Sequence, residues 1–175
     1  MIRGSPSSES GTSVLFKICC IASVAEARRA AQAGASALGF VSRMPSGPGP
    51  IDEDLIASIV PHVAPGLATF LLTSETTAEP IIAQQRRTGV NTLQLVDDVA
   101  PGTYDGLRKA LPGVAIVQVI HVTGRRSVDD ALTAARHADA LLLDSGNPSL
   151  AVKELGGTGR VHDWIISREI RESVA

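Results

Sequence analysis

Apolar runs of strand length alternate along the chain with longer segments whose apolar positions recur at helical spacing. The runs are VLFKI (14–18), SALGFV (36–41), LATFLL (67–72), TLQLV (92–96), AIVQVI (115–120) and ADALLLD (138–144). Between them lie SVAEARRAAQAG, IDEDLIASIVPHV, TAEPIIAQQRRTG, GTYDGLRKALPG and SVDDALTAARHA, and HDWIISREIRESV (162–174) follows the last run. Several of these segments open near a Ser, Asp or Thr and close on Gly, which are helix start and stop signals. Strand followed by helix, repeated about six times, predicts parallel strands joined by helical crossovers. The nearly continuous apolar runs fit strands covered on both faces. Period alone leaves open an α/β layer or a (β/α) barrel. A closed eightfold barrel usually takes about 250 residues, so a chain of 175 residues fits either an open sheet or a barrel whose last two units lie beyond it.

Composition bounds this picture further. With 44% hydrophobic and 19% charged residues, the chain predicts one globular domain over residues 14–175, preceded by a flexible polar tail, MIRGSPSSESGTS, at 1–13. A net charge of -2 gives no basic field, so neither nucleic acid nor a membrane surface is expected as a partner. The tail lacks the apolar centre of a secretory signal, and no run approaches about 18 apolar residues, so a cytoplasmic protein is expected. The two cysteines of the chain, Cys19 and Cys20, are neighbours. They are too close for an ordinary disulfide and have no second pair or His cluster with which to hold zinc. Free thiols and no metal are the expectation.

Parallel α/β folds carry their sites on loops at the carboxyl ends of strands. In the first strand, alternation sends Lys17 and Cys19 to one face and Ile18 and Cys20 to the other. In a barrel Cys19 would stand at the inward edge, and Cys20 would turn toward the helices as a small apolar residue. Both thiols could equally be packing residues. Asp144, closing ALLLDSG, stands where barrel catalytic residues arise but could also cap the following turn. Asp97 and Asp98 follow the fourth strand, and Asp163 reads as a helix start. The GGTG stretch at 156–159 lets backbone amides approach a ligand. By itself it reads as a loop, because it matches neither common phosphate-binding fingerprint.

KIC at the first strand end, then AGASALGFV, LQLV, LLLDS, and GGTG followed by DW, resemble in order and spacing the phosphoribosylanthranilate isomerase family of tryptophan biosynthesis. The resemblance implies a (β/α)8 TIM barrel with about six βα units in this chain. It implies an Amadori rearrangement of a phosphosugar–anthranilate substrate without a cofactor, Cys19 as general base and Asp144 as general acid. It places Lys17, Arg43, Gln94, Gly156 and Gly157 in substrate binding. Four departures stand out. The family continues KIC with glycine where this chain has Cys20. Its arginine follows Ser-Pro, whereas here SRMPSGPGP offers Arg43 from a shifted position. It reads QLHG where this chain has Gln94, Leu95, Val96 and Asp97. The family's seventh and eighth strands, with their phosphate-binding turns, find no counterpart before Ala175. A second copy of the chain is the partner expected to cover the sheet edges so exposed, whether the protein is catalytic or a remnant of the fold.

Overall fold

The computed structural model describes residues 14–174, so the tail expected at 1–13 lies outside the described residues. Six strands form one parallel sheet in sequence order: β1 (Lys17–Ile18), β2 (Ala37–Val41), β3 (Ala68–Thr73), β4 (Thr92–Leu95), β5 (Ala115–His121) and β6 (Ala140–Asp144). Helices follow each strand: α1 (Val24–Gln32), α2 (Glu53–Ile59), α3 (Ala78–Thr88), α4 (Thr103–Ala110), α5 (Arg126–Ala134) and α6 (Trp164–Val174). The unbroken order, with every crossover helical, is that of six successive units of a (β/α) barrel.

Alternation along the strands separates two faces. Leu38, Phe40, Leu71, Leu93, Leu95 and Ile116 point to the helical layer and are fully or almost fully buried, packed against Ile56, Ile81 and Leu107. Each such side chain contributes about 1.5–3 kcal/mol on leaving water, so this layer holds the fold together. On the concave face Leu72, Val96, Val119, Leu142 and Leu155 form a smaller cluster.

Local signals place the helix ends. Ser23 caps α1 by accepting the Glu26 N–H at 3.2 Å, while Glu26 accepts the Ala22 N–H at 2.7 Å. Gly89 closes α3 in the left-handed region at φ 71, where its N–H donates to the Gln85 carbonyl. The helix expected over 51–63 divides instead into α2 and a 3-10 turn, Val60–His62, because Pro61 cannot donate to the helical ladder. The first strand is also shorter than the run 14–18 predicts. Val14, Leu15 and Phe16 are exposed, and pairing with β2 begins only at Lys17 opposite Ala37. Among the described residues, no helix is long and apolar enough to cross a membrane.

Candidate active site

Register brings the inward side chains to one end of the sheet. Leu72 pairs with Gln94, Gln94 with Val117, Val119 with Leu142, and His121 with Asp144. At the carboxyl ends of these strands a cavity of about 260 Å³ opens, lined by Lys17, Cys19, Gln94, Asp144, Gly156 and Gly157 together with Met44, Leu155 and other apolar groups. Strands β1 and β6 are the two ends of the sheet, yet both contribute to this cavity because the sheet curls.

Lys17 crosses the concave face. Its Nζ donates to Oε1 of the buried Gln94 and stands 4.8 Å from the centroid of the Phe70 ring. Burial lowers the Lys17 pKa, opposed by the charges of Cys19 and Cys20. The ammonium is thus held by one amide and one ring face. Cys19 fits beside it because Gly39 has no side chain: a methyl carbon there would lie 2.7 Å from the Cys19 sulfur.

Cys20 does not turn into the helical layer. The strand ends at Ile18, and Cys20 adopts φ 61, is exposed, and aims its sulfur at the Pro48 carbonyl at 3.8 Å. A left-handed backbone favours glycine, which gives a conformational reason for the glycine that follows KIC in the family. Burial, then the neighbouring Cys19, pushes the Cys20 thiol up, with Lys17 acting the other way.

Asp144 is fixed from several sides. Its Oδ2 accepts the Gly146 N–H at 2.6 Å, and the GGTG loop folds against it: a methyl carbon on Gly156 would stand 3.7 Å from both carboxylate oxygens. Gly156 has φ 141, and Gly157 has φ 68 and lies against Pro48 of the β2–α2 loop. Side chains tie this loop down. Ser145 and Thr158 hydroxyls meet at 3.0 Å, Ser46 donates to the Lys153 carbonyl at 2.6 Å, and Lys153 donates to Asp97. The loop thereby joins the ends of β2, β4 and β6 over the cavity.

Arg43 is the exception among the residues expected in substrate binding. It is exposed and lines a separate surface hollow with Asp52, Glu53 and Asp54, outside the cavity. The chain leaves β2 at Val41, and Ser42, buried and bonded to the Leu72 carbonyl at 2.7 Å, turns the next residue outward. Two further features, His121 and the partner of Asp97, were not singled out by sequence. His121 ends β5 beside Asp144, and the strand-end position that marked Asp144 would have found it. The Lys153–Asp97 pair joins distant segments and left no local signal.

No family model matches the chain. An N-(5'-phosphoribosyl)anthranilate isomerase 2 of Methanosarcina mazei is 35% identical over 161 residues, covering 91% of this chain and 70% of the relative. The chain belongs to the phosphoribosylanthranilate isomerase family. The isomerase of Methanocella arvoryzae is 30% identical over 161 residues, with 90% of this chain and 72% of the relative covered. Among solved structures, the Thermus thermophilus phosphoribosyl anthranilate isomerase superposes with a TM-score of 0.73 at 19% identity, over 91% of this chain and 72% of that one. The Thermotoga maritima isomerase gives 0.72 at 24%, over 91% and 73%. These two likenesses confirm the barrel fold of the family and identify the six units as part of it.

Proposed function

We propose that the chain catalyses the Amadori rearrangement of N-(5-phosphoribosyl)anthranilate to 1-(2-carboxyphenylamino)-1-deoxyribulose 5-phosphate, in cytoplasmic tryptophan biosynthesis. The observation that carries this reading is that Cys19 and Asp144, from opposite ends of the sheet, line one cavity.

In the proposed reaction Asp144 donates its proton to the ribose ring oxygen, the bond from that oxygen to the anomeric carbon breaks, and the anthranilate nitrogen becomes an iminium. Cys19, as thiolate, removes the proton from the neighbouring carbon. The enolamine that results gains a proton at the anomeric carbon as its hydroxyl becomes the ketone. One proton leaves Asp144 and one reaches Cys19, and solvent restores both groups. Only protons move, so no redox cofactor is called on. Lys17 brings a positive charge into the cavity that Cys19 lines, and Gln94 orients Lys17. Gly156 and Gly157 give substrate close access to backbone. A placed acid or base of this kind is typically worth about 10²–10⁴-fold.

The test is incubation of purified protein with N-(5-phosphoribosyl)anthranilate in deuterated water. Loss of substrate, with solvent deuterium at the former anomeric carbon of the ketose, is expected; a folded protein that leaves the substrate unconsumed overturns the reading.

A second reading is favoured by the state of β6. Its residues are half-buried or exposed, and a hollow of about 280 Å³ beside it is lined by Leu141, Leu143, Ile170 and Val174. A second copy of the chain covering this edge would make a homo-oligomer, with or without catalysis. Sedimentation velocity across a concentration series tests it, and a monomer at every concentration excludes it.

A further inference from the structure

His121, the last residue of β5, stands in register with Asp144, the last of β6. Its side chain is only 8% exposed. Nε2 lies 2.9 Å from the Val96 carbonyl oxygen, and because a carbonyl oxygen only accepts, Nε2 carries a hydrogen. Nδ1 therefore faces Asp144 Oδ2, 3.8 Å away, and although buried it has no hydrogen-bond partner among the described residues. A lone pair on Nδ1 facing a carboxylate lone pair is repulsive. One proton between them converts the contact into a charge-assisted hydrogen bond. Gly146 keeps the gap open, since a methyl carbon on it would stand 2.8 Å from Nδ1 and 3.0 Å from Oδ2.

The surrounding charges single out the same pair. Asp97, next to Val96, is matched by Lys153, and Glu154, whose carbonyl oxygen crowds Gly146, is matched by Arg160. Among the described residues Asp144 meets no Lys or Arg, only His121.

We propose that His121 positions the acid of this site by holding one proton jointly with Asp144, between Nδ1 and Oδ2. The separation of 3.8 Å exceeds hydrogen-bond reach for an unprotonated pair, whose facing lone pairs repel. The protonated pair closes it. When the pair delivers its proton to the ribose ring oxygen, the imidazole is left neutral and Asp144 ionised, and solvent returns the proton after product leaves. The catalytic consequence rests on the isomerase reading; the shared proton does not.

Two measurements test it. The first is nitrogen-15 resonance of histidine-labelled protein at pH 7, with the His121 signal assigned by its loss in His121→Gln. Nδ1 is expected to show a protonated or strongly hydrogen-bonded nitrogen, reverting to a bare lone pair in Asp144→Ala. A bare Nδ1 in the unsubstituted protein overturns the proposal, whether or not the protein turns over substrate. The second is the kinetics of His121→Gln, whose amide can still donate to Val96. A fall in kcat of about 10-fold or more, with KM changed by less than about 3-fold, is expected. An unchanged kcat in an active protein overturns the positioning role.

Discussion

The inner strands and the two end strands of the sheet are built differently. Every residue of β2 and β4 is buried, whereas β1 and β6 are half-buried along most of their length and, among the described residues, each has a strand on one side only. The proposed acid and base come from the ends of the less supported pair. The middle of the sheet supplies stability and the ends supply chemistry, so substitutions in the two regions should fail in different ways.

The largest effect should come from the ends. Cys19→Ala and Asp144→Asn should each lower turnover about 10²–10⁴-fold while the thermal midpoint stays within a few degrees of the parent, checked by calorimetry beside the kinetics. Phe40→Ala, in the middle, should do the reverse. Phe40 is fully buried, and its removal should cost about 3–5 kcal/mol, read from urea unfolding, with the surviving folded fraction keeping its specific activity. If Phe40→Ala lost activity without losing stability, the division of labour between the regions would be wrong.

A smaller effect concerns Cys20. At φ 61 it holds a conformation that costs a non-glycine residue roughly 1 kcal/mol, so Cys20→Gly should raise stability by up to about 1 kcal/mol and leave kcat in place. A destabilised Cys20→Gly would mean that the thiol's packing against Pro48 outweighs backbone strain. The smallest is electrostatic. Burial holds the Lys17 pKa below its ordinary 10.5, so the unfolded chain binds this proton more tightly than the folded one. That penalty is complete below the folded pKa and disappears as pH rises through 10.5. The stability of the parent relative to Lys17→Met should therefore increase from pH 7 toward pH 10.5, and a constant difference would show that Lys17 is not desolvated.

Much of this layout could be read from the chain because parallel strands announce themselves. Runs such as AIVQVI and TLQLV are short, apolar and separated by helical segments, and the strands fall on them within a residue or two. The end of the first strand was harder. VLFKI is apolar like the inner strands, but among the described residues β1 has only β2 to pair with, and pairing partners leave no mark in local sequence. The same loss of pairing frees Cys20 from the alternation that would have buried it. In the site, Lys17 and Cys19 lie together as alternation implied, and Gln94 and Asp144 joined them in one cavity as the family resemblance implied. Arg43 did not, since a loop rich in Gly and Pro carries no period from which to read direction. Lys153 and Asp97 meet through the fold of a long loop, which no spacing in the sequence encodes.

The most direct measurement is steady-state turnover of N-(5-phosphoribosyl)anthranilate by the unsubstituted protein beside Cys19→Ala and Asp144→Asn, all verified as folded. Turnover by the parent with both variants reduced at least about 100-fold is the predicted result; turnover that both variants retain would contradict a shared site built from the two end strands.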